Sequence, residues 1–302
     1  MKLTINDVHF YNVLEMNLQH AVSRKLKILN FRPVYGGDIN TSFKLETSTG
    51  DFFIKLNDAN LYPHMFEKEA RGLNTLREAG ALYVPEVILT GQVEDTAYLV
   101  LEYVENNGRK DASFWRNFGY GLAELHRHTH TYFGFDEDNY IGSLIQINKP
   151  DTSWVNFFIK NRLKYQIQIS INKGYFSQDT LDKFEELYEL LPHLIPDELP
   201  NLLHGDLWAG NFLANKNHGA VLIDPAVYYG SREMDLAMTQ LFGGFEDEFY
   251  AAYHEAYPLQ NGWQKRIKIY QLYPLLVHVN LFGGSYTGSV KRTLNAILNN
   301  RR

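Results

Sequence analysis

The sequence predicts an α+β protein of two lobes: a five-stranded antiparallel sheet with one helix, followed by a mostly helical lobe. Three observations support this fold class. Short apolar runs separated by turn residues extend over residues 31–103. Residues 104–108 then lose hydrophobicity, which is typical of a linker. Beyond them, apolar residues recur at helical spacing. We therefore expect an N-terminal lobe at residues 1–104 and a C-terminal lobe at residues 105–302.

Composition limits the classes of function. The 302 residues are 45% hydrophobic, which suits a well-packed globular protein. The net charge of −6 argues against a nucleic-acid partner, because such partners are bound by basic surfaces. No apolar run approaches the roughly 18 residues of a membrane span, and the N-terminus lacks a signal-peptide core. We therefore expect a cytoplasmic protein with no membrane partner. The absence of cysteine excludes disulfides and a thiol nucleophile.

The N-terminal lobe contains a glycine-rich turn between its first two predicted strands. A helix is expected within residues 6–27, and strands at residues 31–35, 42–46, 51–56, 84–89 and 97–103. Glycine can turn backbone N–H groups towards an anion, so the turn is a candidate cover for nucleotide phosphates. An ordinary hairpin turn is the alternative. The residues of this turn are Gly36, Gly37, Asp38, Ile39 and Asn40.

A buried ion pair is predicted between the third strand and the following helix. The helix extends over residues 63–79, and Glu69 falls within its apolar stripe of Phe66, Ala70, Leu73 and Leu76. A carboxylate that faces a core requires a cation. Lys55, inside the preceding strand, is the best candidate. The alternative is that Glu69 lies at the margin of the stripe and reaches solvent.

The C-terminal lobe is predicted to be helical on both sides of residues 202–235. Ser153 and Ser177 are candidate N-caps for helices that end near residues 170 and 191. Alternating histidines at 126, 128 and 130 do not indicate a metal site, because residues two apart on a helix point in nearly opposite directions. Further helices are expected at residues 232–242, 247–257 and 263–283.

Residues 202–235 carry the densest set of side chains able to move a proton or bind a metal. Asp206 is followed five residues later by Asn211, and apolar runs then flank a predicted four-residue loop at 216–219. In that hairpin Asn211 lies opposite Asp224, close enough for both to bind one Mg²⁺. The alternative is a surface hairpin in which Asp206 only caps a turn.

These residues stand in the order found in protein kinases. A strand lysine paired with a helical glutamate contacts ATP phosphates, an Asp acts as catalytic base, and an Asn five residues later binds metal. Here the motif is HGD rather than HRD, which resembles small-molecule kinases of the same fold, such as aminoglycoside and choline kinases. The linker is then the kinase hinge, where backbone groups of Glu102, Tyr103 and Val104 would bind adenine.

Longer strings narrow the resemblance. GGDIN at 36, LVLEYVE at 99, HGDLWAGN at 204, DPAVYYG at 224 and NLFGG at 280 resemble the fructosamine-3-kinase (ketosamine-3-kinase) family, and the similarity covers roughly residues 8–288. It implies a two-lobed protein-kinase-like fold. It also implies Mg²⁺-dependent transfer of phosphate from ATP to the sugar 3-hydroxyl of ketoamines (ribulosamine, fructosamine or erythrulosamine adducts). The expected partner is a glycated small-molecule amine or a glycated protein lysine, and loss of the unstable 3-phosphate frees the amine.

The resemblance also assigns roles to residues. It implies that Asp206 is the catalytic base, that Asn211 and Asp224 bind metal, and that Lys55 and Glu69 anchor phosphate. Trp208 matches an aromatic residue beside the base. From their positions just past Asp224, Tyr228 and Arg232 are further candidates for the acceptor site.

Two alternatives stay open. One is a small-molecule kinase of the same fold that acts on another alcohol, such as an aminoglycoside or an amino alcohol. The other is a pseudokinase that binds nucleotide without turnover, although such a protein is expected to have lost Asp206 or Asp224.

Overall fold

The computed structural model describes residues 8–35 and 39–299, which divide into two compact units. The first comprises residues 1–109 and 213–224, and the second comprises residues 110–212 and 225–302. The segment 213–224, which the sequence placed in the C-terminal lobe, packs with the first unit.

The first unit is built on one antiparallel sheet, and the predicted five strands are confirmed. The strand order is β1-β2-β3-β5-β4. Leu14 and Leu18 of the first helix pack in one buried cluster with Leu45, Ile54 and Val100 of the sheet, because alternate residues of a strand share a face. The elements are α1 (Val8–Ala21), β1 (Ile28–Val34), β2 (Thr41–Thr47), β3 (Gly50–Asp58), α2 (Met65–Ala79), β4 (Val87–Val93) and β5 (Thr96–Glu102).

A short hairpin completes the first unit. Its strands, β9 (Phe212–Asn215) and β10 (Gly219–Leu222), are joined by three residues, so the predicted four-residue loop is wrong. The side-chain oxygen of Asn215 accepts hydrogen bonds from the backbone N–H groups of residues 217 and 218 and tightens the turn. Tyr83 holds the hairpin: its carbonyl accepts the Leu222 N–H at 2.9 Å, and its ring stacks on His218 at 3.8 Å between centroids.

The second unit is mostly helical, as predicted. Helix α9 is its centre and is buried along most of its length. Two short antiparallel pairs, β6 with β7 and β8 with β11, were not predicted, since three-residue strands carry no periodic signal. The elements are α3 (Ala112–Leu125), β6 (Asn139–Ile141), β7 (Leu144–Gln146), α4 (Trp154–Phe157), α5 (Tyr165–Asn172), α6 (Gln178–Leu194), β8 (Asn201–Leu203), β11 (Tyr228–Gly230), α7 (Glu233–Leu241), α8 (Asp247–Ala256), α9 (Trp263–Phe282) and α10 (Thr287–Asn299).

The helix predicted after Ser153 contains a π-helical segment. Ser153 caps it by accepting the Asn156 N–H, as expected. Residues 158–164, between α4 and α5, are wound as π-helix. This segment carries Arg162 in the core, where its guanidinium donates to Asn148 at 2.8 Å and lies 4.0 Å from the ring centroid of Tyr228. Buried cations need such partners.

None of the helices within residues 8–35 and 39–299 has the length and apolar character of a membrane span.

Candidate active site

In the first unit, the side chain of Lys55 contacts two carboxylates. Its ammonium donates to Glu69 Oε1 at 2.6 Å and to Asp224 Oδ1 at 2.7 Å. Strand β3 and helix α2 bury the first pair, whose side chains are 6% and 12% exposed, whereas Asp224 is 43% exposed. The sequence predicted the contact between Lys55 and Glu69 but not the contact with Asp224.

The carboxylates keep Lys55 charged. Burial alone lowers the pKa of a lysine, but the negative charges of Asp224 and Glu69 outweigh it and raise the pKa of Lys55. The pKa of Glu69 is raised as well, because burial outweighs the attraction of Lys55. The first unit therefore presents a fixed cation beside a partly exposed carboxylate, a combination suited to binding phosphate oxygens together with a metal ion.

Asp224 has a left-handed backbone conformation, with φ of 54°. Few residues other than glycine adopt this conformation, and Asp and Asn adopt it most readily. It lies just after β10, where the chain leaves the hairpin. Asn is therefore the substitution for Asp224 that best preserves this backbone conformation.

In the second unit, the loop after β8 holds Asp206 and Asn211 together. The Asn211 amide nitrogen donates to the Asp206 carbonyl at 2.8 Å and to its carboxylate Oδ2 at 2.9 Å. Gly205 is required here: it has φ of 83°, and a Cβ would lie 2.0 Å from the Ala226 carbonyl oxygen. The loop thus fixes the rotamer of Asp206, as a catalytic base requires.

A buried aspartate anchors this loop from below. Asp235 accepts the backbone N–H groups of His204 at 2.8 Å and Gly205 at 2.9 Å. His126 Nε2 lies 3.2 Å from the same carboxylate, and its Nδ1 lies 2.8 Å from the Tyr253 hydroxyl. Although burial acts to raise it, hydrogen bonds from His126 and the Gly205 N–H, together with electrostatic attraction to His126 and His204, lower the pKa of Asp235. Sequence reasoning missed this anchor, because only the fold brings residues 126, 204 and 235 together.

The glycine-rich turn predicted to cover the nucleotide phosphates lies only partly within the described residues. Gly36, Gly37 and Asp38 lie outside the described residues. Ile39 and Asn40 follow directly, and Asn40 accepts the Asn57 amide at 3.3 Å.

The predicted hinge lies at the end of β5. The Glu102 N–H donates at 2.9 Å to the carbonyl of Glu86, the residue before β4, and the Glu102 carboxylate accepts the Tyr83 hydroxyl at 2.8 Å. Tyr103 lies under the ammonium of Lys44, 4.5 Å from the ring centroid. Val104 follows in the extended segment after the strand.

Of the three residues predicted to contact the acceptor, one lies at the surface. Trp208 is 39% exposed and contacts Phe242 edge-on at 6.3 Å. Tyr228 is fully buried beneath Arg162. Arg232 is also buried, and its guanidinium is held by Glu198 at 2.6 Å. The burial of Tyr228 and Arg232 in the core argues against the prediction that they contact the acceptor, and we do not propose them as acceptor contacts.

The donor types at Asn211 and Asp224 fit Mg²⁺ better than a soft metal. No group of three His, Asp or Glu side chains with metal-site geometry occurs in the described ranges 8–35 and 39–299. Mg²⁺ does not need one, because it typically takes one or two protein oxygens and completes its shell with water and phosphate. A carboxylate and an amide oxygen are appropriate ligands.

A comparison of the sequence with protein-family models decides the family. The model for fructosamine kinase matches residues 11–300. The chain belongs to the fructosamine kinase family. A probable ketoamine kinase of Vibrio parahaemolyticus is 41% identical over 264 residues, which cover 87% of this chain and 90% of that protein. The chloroplastic protein-ribulosamine 3-kinase of Arabidopsis thaliana is 36% identical, over 90% of this chain and 83% of the plant protein.

Solved structures agree with this fructosamine kinase assignment. A crystal structure of a candidate fructosamine-3-kinase from Haemophilus somnus superposes with a TM-score of 0.87 at 30% identity, covering 96% of this chain and 99% of that chain. A thermostable mutant of the aminoglycoside phosphotransferase APH(4)-Ia gives a TM-score of 0.60 at 13% identity, over 93% of this chain and 98% of that chain. The latter likeness shows the fold alone, and the predicted kinase-like fold is confirmed.

Proposed function

We propose that this fructosamine kinase phosphorylates the 3-hydroxyl of ketoamines with ATP and thereby starts their removal from amines. The observation that carries the proposal is the family match over residues 11–300, across a chain that retains every charged residue the chemistry needs. The names of the bacterial and plant relatives, ketoamine kinase and protein-ribulosamine 3-kinase, support the same acceptor class.

Asp206 is the proposed base. It would accept a hydrogen bond from the sugar hydroxyl and take its proton as the oxygen attacks the γ-phosphate. The Asn211 amide, 2.9 Å from Asp206 Oδ2, restricts the carboxylate to one orientation. Asp235 fixes the backbone of the same loop through two N–H groups.

Lys55 is the proposed phosphate anchor. Its ammonium is held in place by Glu69, so no rotamer freedom is lost when it contacts phosphate oxygens. Asp224 and Asn211 are the proposed Mg²⁺ ligands, and Mg²⁺ supplies charge neutralisation on the transferred phosphoryl group when bound. Residues 36–40 and 102–104 are the proposed contacts to the nucleotide.

Trp208 is the proposed platform for the sugar. Its ring lies in the same loop as Asp206 and is partly exposed. A ketoamine places a cationic secondary amine beside a polyhydroxylated chain, and aromatic faces attract both. Loss of a proton from carbon 1 of the 3-phosphate gives an enaminol, which eliminates inorganic phosphate from carbon 3. Water then hydrolyses the resulting imine and releases the amine and a 3-deoxy dicarbonyl sugar.

The test is ADP release with a panel of acceptors. Ribulose-lysine, fructose-lysine and erythrulose-lysine are compared with choline and an aminoglycoside at equal concentration. We expect turnover with at least one ketoamine and none with the other alcohols. Turnover only with choline or the aminoglycoside would assign the enzyme to another acceptor, and nucleotide binding without any turnover would identify a pseudokinase.

A further inference from the structure

The second unit contains a cavity near Trp208, the proposed platform for the sugar. It has a volume of about 280 Å³ and lies between the end of α7 and the first turns of α10. Its apolar side is formed by Leu241, Phe242 and Leu275, and its polar side by Tyr286, Ser289, Arg292 and Thr293. Residues 289, 292 and 293 are three and four apart, so they share one face of α10.

Arg292 gives this cavity a positive charge. Its Nη2 donates to the Ser289 hydroxyl at 3.0 Å, and the side chain is exposed to solvent. None of the lining residues is acidic. A guanidinium has five N–H donors in a planar fork that matches a carboxylate. The cavity therefore combines a carboxylate-binding group with an aromatic wall.

The cavity is linked to Asp206 by a row of aromatic rings. Phe242, in the cavity wall, contacts Trp208 at 6.3 Å, and His278 lies 4.8 Å from Phe242 and 5.0 Å from Tyr286 between ring centroids. His278 also lines a narrower pocket together with Asp206. Burial lowers the pKa of His278, and a hydrogen bond to the Pro274 carbonyl opposes this effect.

We propose that the cavity formed by Phe242, Tyr286, Ser289 and Arg292 binds the carboxylate of the substrate's amine part. The preferred substrate is then a ketoamine of a free amino acid, such as glycated lysine, rather than a glycated lysine inside a protein. The proposal rests on the proposed function. With the sugar at Asp206 and Trp208, the aliphatic chain of lysine lies along Phe242, and its carboxylate pairs with Arg292. Within a protein that carboxyl group is an uncharged amide.

The test compares ketoamines that differ only in the carboxylate. kcat/KM is measured for Nε-ribulosyl-lysine, for its carboxamide, and for short glycated peptides with a free or an amidated C-terminus. Since a charge pair at an exposed arginine is screened by solvent and typically changes affinity by no more than roughly fivefold, we expect wild type to prefer the free amino acid over its carboxamide by about two- to fivefold, through KM. Arg292→Ala should remove this preference, and Arg292→Glu should reverse it.

Lys291→Ala is the matched control, because Lys291 is the adjacent cation on α10 and lies over Phe176 instead of the cavity. It should leave the preference unchanged. Equal kcat/KM for carboxylate and carboxamide in wild type would overturn the proposal, as would an equal loss for both in Arg292→Ala. A higher kcat/KM for the peptide with a free C-terminus than for free glycated lysine would indicate that the site binds a peptide carboxylate. That result would contradict the preference for a free amino acid. If no ketoamine is phosphorylated, the proposed function itself fails.

Discussion

The ammonium of Lys55 lies 2.7 Å from a carboxylate oxygen of Asp224, 169 positions later in the chain. Lys55 therefore joins two carboxylates, the buried Glu69 and the more exposed Asp224. The same contact links the proposed phosphate anchor to a proposed metal ligand. We therefore expect the lysine to contribute to stability as well as to the proposed function.

Lys55→Met should destabilise the protein and weaken nucleotide binding. Without the cation, Glu69 is left buried and unpaired, which typically costs about 3–5 kcal/mol. The measurement is the free energy of unfolding from urea titration at pH 7. Lys44→Met is the control, because Lys44 pairs with the exposed Asp51 and such pairs contribute about 0–1 kcal/mol. Equal losses in the two variants would contradict a special role for the Lys55 cluster.

Asp224→Asn should reduce Mg²⁺ affinity more than Asn211→Ala does. Asn tolerates the left-handed backbone at this position, so the variant removes the charge without adding strain. We expect the Mg²⁺ concentration for half-maximal activity to rise at least about tenfold, as when a charge-assisted contact is lost. Asp51→Asn serves as the control. An unchanged Mg²⁺ titration for Asp224→Asn would remove this residue from the metal site.

The sequence predicts the pairing of Lys55 with Glu69 because a carboxylate inside an apolar helical stripe needs a partner, and the nearest strand offers one. It does not predict the contact with Asp224, because that depends on where the hairpin packs. The missed burial of Tyr228 and Arg232 has a similar cause: their partners, Arg162 and Glu198, lie far away in sequence. The sequence does not predict that Asp235 holds the loop, because its hydrogen-bond donors are mostly backbone N–H groups, which have no sequence signature.

Asp235→Asn should destabilise the protein at pH 7, and the difference from wild type should shrink in acid. The pKa of Asp235 is lowered in the folded state. Its contribution is therefore complete above the unfolded value of about 3.9 and is lost as pH falls through the lower folded value. Asn also turns an N–H₂ group towards backbone donors. Urea unfolding at pH 7 and at about pH 2, below the unfolded value, provides the measurement, and a difference that grows in acid would contradict the assignment.

Trp208→Ala should raise KM for a ketoamine while leaving KM for ATP nearly unchanged. Loss of an aromatic contact to a cation of about 0.5–2 kcal/mol corresponds to a change of roughly 2- to 30-fold. Trp208→Phe keeps an aromatic face and should recover most of the affinity. If Trp208→Ala instead raises both KM values, or lowers thermal stability strongly, the ring is a packing residue for Phe242.

The most direct test of ketoamine 3-phosphorylation is phosphorus NMR of ribulose-lysine incubated with the enzyme, ATP and Mg²⁺. We predict a transient signal coupled to the proton on carbon 3, followed by inorganic phosphate and free lysine. Asp206→Asn should slow formation of this signal by about 10²- to 10⁴-fold, the typical contribution of a general base, while nucleotide binding persists. Phosphate on another hydroxyl, or a stable product without lysine release, would contradict the central claim, and undiminished turnover by Asp206→Asn would contradict the assigned base.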